Sequence, residues 1–212
     1  MQNTYVVAVT QPVITLWTAL VWLRLTLAAA FCRLLPTRLR CPNLVVLYCN
    51  CVGGYHSDLP SSWHSLERTV ASVAPSIRWD LLDRFALLFD DQVTFPAECC
   101  RASLGYVLSV CDSTSEDPQA VASAWRSQWF VQSHGLHVAV FPAGECLVAD
   151  MPSLGPLSYL VCLVRALSCL RQETKASGLT AKVPGLLEVH SQIRRRVTFL
   201  LPLEGRHELL PF

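Results

Sequence analysis

No acidic residue precedes Asp58, and the four charged residues before it, Arg24, Arg33, Arg38 and Arg40, are all cations. This asymmetry divides the chain. The first 57 positions carry +4, so with an overall charge of +1 the remaining 155 carry −3. A segment of this kind suits a targeting peptide, a membrane anchor or a basic arm, and its apolar content chooses among them. Tyr5–Leu23 is 19 residues without a charge, and Val13–Phe31 is another 19 interrupted only by Arg24. At about 1.5 Å per residue either would run roughly 28 Å as a helix, near the ~30 Å hydrocarbon core of a bilayer. Arg33, Arg38 and Arg40 follow the span, so the positive-inside rule turns the next domain toward the cytoplasm or the mitochondrial matrix.

The expected location is therefore a membrane, with the mitochondrial inner membrane and a matrix-side C-terminal domain as the case considered. Two alternatives stay open. One is a buried core helix, favoured by the ~2.5–3.5 kcal/mol that Arg24 costs at the middle of a span. The other is a mitochondrial presequence, which the missing acids favour and the lack of any serine before Ser57 opposes.

Beyond that segment the chain reads as globular. Apolar residues are 52% and charged residues 16%, against a usual ~25% charged, which excludes intrinsic disorder. The near-neutral balance gives no whole-chain argument for nucleic acid, and no nucleic-acid partner is expected. Residues 1–40 are set apart as the N-terminal segment, and 41–212 are predicted to form one α+β domain of short strands and amphipathic helices. The run at Asn43–Cys49 predicts a strand, closed by Gly53 and Gly54. Helices are predicted from Ser62 to Val73, from Ser76 to Phe89 and from Ala97 to Cys111, each on apolar residues at helical spacing. Asp117-Pro118 opens another helix toward Trp129. Leu136–Phe141 and Glu145–Ala149 predict a hairpin around Pro142-Ala143-Gly144, Leu157–Leu170 a helix apolar nearly all round, and Val197–Leu201 a last strand. Residues 172–184 read as a polar connection.

The motifs are sparse. The ten cysteines contain no C-x-x-C, and most lie in apolar runs where a thiol acts as a small hydrophobe, so no metal site is predicted. Cys49, Cys51, His56, Asp58 and His64 form the one cluster mixing a nucleophile, a base and a carboxylate. A cysteine hydrolase needs that set, and Gly53-Gly54 would offer backbone N–H groups to an oxyanion. Arg194-Arg195-Arg196 has the chemistry to grip phosphate, but no aromatic ladder accompanies it. No nucleotide-binding glycine loop is present. The expectation is a non-catalytic accessory subunit of a membrane-associated assembly, with other subunits and membrane lipid as partners and no cofactor. The apolar helix at 157–170 would supply part of the contact. The alternative is a small soluble cysteine hydrolase using Cys49–His64.

Overall fold

The computed structural model describes residues 20, 21, 23, 24, 34–55, 57–90, 95–111, 117–152, 156–178 and 185–203. Among the described residues from 34 on, eight strands and four α-helices follow one another as β1 (Thr37–Cys41), β2 (Asn43–Val52), α1 (Leu59–Val73), β3 (Arg84–Leu88), β4 (Arg101–Cys111), α2 (Pro118–Arg126), α3 (Trp129–Ser133), β5 (His137–Phe141), β6 (Gly144–Pro152), α4 (Pro156–Ala176), β7 (Leu186–Ser191) and β8 (Arg196–Pro202). The strands make a single sheet in the order β1-β6-β8-β7-β3-β4-β2-β5, and every pairing is antiparallel.

The order holds one topological unit twice. A strand, a helix and two further strands (β2-α1-β3-β4, then β6-α4-β7-β8) each fold so that the two later strands pair and the first lies outside them. The units meet at the β3–β7 seam, where Arg84 faces His190 and Ala86 faces Glu188. The links between strands make the sheet curl. Pro42 alone joins β1 at one edge to β2 near the other, and residues 142–143 join β5 at that far edge to β6 beside β1. Such short links draw the two ends of the sheet toward each other, giving a curled half-barrel. The Ala143 amide donates to Asn43 Oδ1 at 2.7 Å and ties the two corners together.

Both faces of the sheet are buried. On one, Val45, Leu47, Leu104, Tyr106, Ala149, Met151, Val197 and Phe199 pack under the helices. On the other, Leu44, Val46, Tyr48, Phe85, Leu87, Val148, Leu187 and Leu200 pack against one another inside the curl. Helix α1 lies chiefly on β2 and β4, and α4 chiefly on β6 and β8. The central strands β3 and β7 therefore run along the gap between the two helices.

Several expectations are corrected. The α+β domain of short strands is a single half-barrel sheet with strands of up to 11 residues. The helix expected from Ser76 to Phe89 is a 3-10 turn, Trp79–Leu81, followed by β3. Phe85 and Leu87 point into the curl while Ala86 and Leu88 point to the helices, so the run is apolar throughout and mimics a helical stripe. The same two-sided burial turns the expected helix at 97–111 into β4. The expected hairpin is absent because β5 pairs with β2 while β6 pairs with β1 and β8; its glycine loop is a corner of the sheet. The predictions at 43–49, 62–73, 157–170 and 197–201 fall within β2, α1, α4 and β8, and Asp117 caps α2 by accepting the Gln119 amide at 3.0 Å. Helix α4 has an ordinary inward face, with Cys162, Ala166 and Leu170 buried and Val164 67% exposed.

The transmembrane expectation is corrected within the same limits. Among the described residues no helix is long and apolar enough to cross a membrane. The 21-residue α4 carries Arg165, Arg171, Glu173 and Lys175. The stretch 5–31 lies outside the described residues except at Leu20, Val21, Leu23 and Arg24.

Candidate functional site

The gap between α1 and α4 is where the sheet face becomes polar. Three strands bring three residues into one row there: Tyr106 on β4 pairs with Arg84 on β3, which pairs with His190 on β7. In the next row Leu104, Ala86, Glu188 and Phe199 stand side by side across β4, β3, β7 and β8. The helices close over these rows. From α1, Glu67 Oε1 meets Arg84 Nη1 at 2.6 Å, and the Arg84 guanidinium lies 5.7 Å from the Trp63 ring centre. From α4, Tyr159 donates its hydroxyl to Glu188 Oε2 at 2.7 Å and sets its ring 5.4 Å from that of His190.

Glu188 dominates the electrostatics. Its side chain is 2% exposed, in a row otherwise made of Leu104, Ala86 and Phe199. A carboxylate so placed must be paired or hydrogen-bonded to be tolerated. Oε2 is satisfied, taking the Tyr159 hydroxyl and lying 3.3 Å from His190 Nε2. Oε1 is buried and has no hydrogen-bond partner. Burial drives the Tyr159 hydroxyl far above the ordinary tyrosine value, and the charge of Glu188 and the bond to it push the same way. Tyr159 is thus fixed as a donor. The cluster is a preorganised acceptor: one oxygen locked, the other buried without a donor.

Among the described residues, the Cys49–His64 cluster does not assemble as a catalytic constellation. Cys49 and Cys51 lie on β2 with their thiols pushed up by burial, Cys51 to about 11, so neither supplies a thiolate near neutral pH. Cys51 Sγ donates to the Ala102 carbonyl at 3.4 Å. Asp58 Oδ2 accepts the Gly54 amide at 2.7 Å and the Ser57 hydroxyl at 3.0 Å, orienting the loop rather than a histidine. The Gly53 amide donates to the Cys100 carbonyl at 2.8 Å, so both amides considered for an oxyanion are engaged. His64 is exposed on α1, and His56 lies outside the described residues. Arg194 and Arg195 form an exposed turn with Arg195 at φ 49°, and Arg196 is held by Asp150 at 2.7 Å. Among the described residues no group of three or more His, Cys, Asp or Glu side chains is placed to hold a metal ion.

Glu188 escaped the sequence reading because β7 did. The signal was present: a single acid inside Leu186-Leu187-Glu188-Val189, an apolar run of strand length. A charge at a core position is rare enough to mark a partner or a site.

The sequence matches no family profile. It matches no curated protein. Solved structures match the fold. The crystal structure of the EcmrR C-terminal domain is similar over 81% of this chain and 98% of that one, at 12% identity and a TM-score of 0.51. The cryo-EM structure of the EcmrR–DNA complex in EcmrR-RPo is similar over 89% of this chain and 64% of that one, at 13% identity and a TM-score of 0.52. An uncharacterised conserved protein from Listeria innocua is similar over 79% of this chain and 91% of that one, at 14% identity and a TM-score of 0.47. These likenesses are of fold. They correct the expected setting: neighbours of this fold include a domain of a DNA-bound protein, so the exclusion of nucleic acid is withdrawn. The expected partners, membrane lipid and other subunits, are corrected with it: no described helix is long and apolar enough to cross a membrane.

Proposed function

We propose that this chain is a small-molecule-binding domain whose ligand carries a basic nitrogen, held as a cation against Glu188. The observation that carries the reading is the buried Oε1 with no donor, on a carboxylate whose other oxygen is locked by Tyr159. A cationic nitrogen supplies the missing donor and the missing charge together, in surroundings where each counts for more than in water. The rings of Tyr159, His190 and Phe199 give the site aromatic walls, which suit an aromatic amine. No nucleophile with a lowered pKa stands beside Glu188, which favours binding over covalent catalysis.

The likeness to EcmrR is met almost in full by its C-terminal domain alone. It supports a module of the kind a DNA-bound protein carries. A buried carboxylate among apolar side chains repels phosphate, so the gap at Glu188 suits a small cation and not a nucleic-acid backbone. The test is calorimetric titration of the purified chain with 2-phenylethylamine. Saturable binding that falls at least about tenfold in Glu188→Gln is the expected result, since charge-assisted bonds contribute ~1.5–3 kcal/mol. Equal binding to both forms would overturn the reading.

A further inference from the structure

Among the described residues, the buried side-chain polar atoms left without a hydrogen-bond partner are Arg84 Nε and Glu188 Oε1. One is a cationic donor and the other an anionic acceptor. They belong to the same face of the sheet, on directly paired strands: Arg84 is opposite His190 and Glu188 is opposite Ala86. The Cβ positions of diagonal neighbours of this kind stand on the order of 7 Å apart, within reach of long side chains, yet Nε and Oε1 do not bond each other, and one small molecule is able to reach both. Ala86, between Arg84 and the inner part of β3, adds only a methyl group to the floor. Trp63 and Glu67 hold the Arg84 guanidinium by its face and by Nη1, and Nε is left unpaired.

We infer that the ligand of this site is a zwitterion, an aromatic amino acid or a compound of that type, with its ammonium on Glu188 Oε1 and its carboxylate on Arg84 Nε. The inference rests on the reading of Glu188 as the counter-ion and adds the second charge. A cation alone satisfies one of the two orphaned atoms; a zwitterion satisfies both and brings no net charge into the site. The surroundings predict an aromatic body, because Tyr159, His190 and Phe199 line the Glu188 side.

The experiment titrates the whole chain with ligands that share one phenyl ring: 2-phenylethylamine as cation, 3-phenylpropionate as anion, and phenylalanine and 4-amino-3-phenylbutanoate as zwitterions with short and long charge separation. At least one zwitterion is expected to bind about tenfold more tightly than the amine. Arg84→Gln should weaken that zwitterion to the affinity of the amine or below, while the amine still binds, as tightly or more tightly because the neighbouring cation is gone, the retained amine binding showing that the site is still folded. Should Arg84→Gln fail to fold, Arg84→Lys keeps a cation beside Trp63 and Glu67 while removing Nε, and is expected to lose most of the preference. Amine binding as tight as that of both zwitterions overturns the inference and leaves the Glu188 reading standing. Equal weakening of amine and zwitterion by the Arg84 variants assigns Arg84 a structural role and also overturns it. Absence of binding by all four ligands removes both readings.

Discussion

Tyr159 and Asp90 show how single polar groups are held in this chain, and each makes a prediction. Tyr159→Phe removes the donor at 2.7 Å from Glu188 Oε2 and leaves a buried oxygen facing His190 alone. A loss of about 1–3 kcal/mol in a urea melt is expected, because an unsatisfied buried acceptor keeps its desolvation penalty. Asp90, with a side chain 5% exposed, accepts the Arg101 amide at 2.8 Å, Nε at 3.0 Å and Nη2 at 2.9 Å. The Arg101 side-chain bonds hold its carboxyl below the usual aspartate value. A folded value below the unfolded ~3.9 means that the contribution is complete above that pH and lost as pH falls through the folded value. Wild type should therefore exceed Asp90→Asn by about 2 kcal/mol at pH 7, with the gap shrinking below about pH 4 in melts taken across that range.

At the scale of the element, β4 and α4 carry the constraints. Gly105 pairs with Tyr48 and Phe85, and a Cβ there would run into the Leu47 carbonyl oxygen, with Phe85 Cε1 only 2.8 Å away. The obstacle is backbone and cannot swing aside. Gly105→Ala should cost at least about 3 kcal/mol, at or above the upper end for overpacking, and is expected to lower expression of folded protein. Helix α4 offers a paired test of its inward face. Ala166 is fully buried, so Ala166→Leu should destabilise by about 1–3 kcal/mol, whereas Val164→Asp on the exposed face should stay within about 0.5 kcal/mol. Equal effects in thermal melts would mean that the outer face of α4 is covered in solution.

Across the whole molecule, the two strand-helix-strand-strand units depend on one seam. Phe85, Leu87, Val189 and Leu187 pair across β3 and β7 on one face, and Leu88 and Leu186 on the other. Neither unit covers both edges of its seam strand, β3 or β7, alone, and the corners at Pro42 and at residues 142–143 exchange edge strands between them: β1 lies on β6 and β5 on β2. The chain is therefore expected to unfold in one cooperative transition by calorimetry and denaturant, and residues 1–116 expressed alone should not fold. Two separable transitions would show that the seam is weaker than the burial on both its faces implies.

Local chemistry fixed some of this before any tertiary contact. Asp117-Pro118 starts α2 because a capping carboxylate and a missing N–H act within one turn, and the buried run at 43–49 is a strand with Gly53-Gly54 closing it. The inward stripe of α1 is readable for the same reason, as one side of the helix faces the core, whereas α4 reads as apolar nearly all round and only its packing shows the inward face. Strands β3 and β4 were not, because burial on both faces erases the period of two and leaves an apolar run that a helix would fit equally well. Glu188, Arg84 and Tyr159 stand 29 to 104 positions apart in sequence, and nothing local relates them. The site exists because the β3–β7 seam sets Arg84 and Glu188 in adjacent rows and α4 lays Tyr159 over them. Hydrogen-bond partners at caps and turns are chosen by neighbours in the chain, whereas a buried acceptor obtains its donor only from the strands and helices that folding brings beside it.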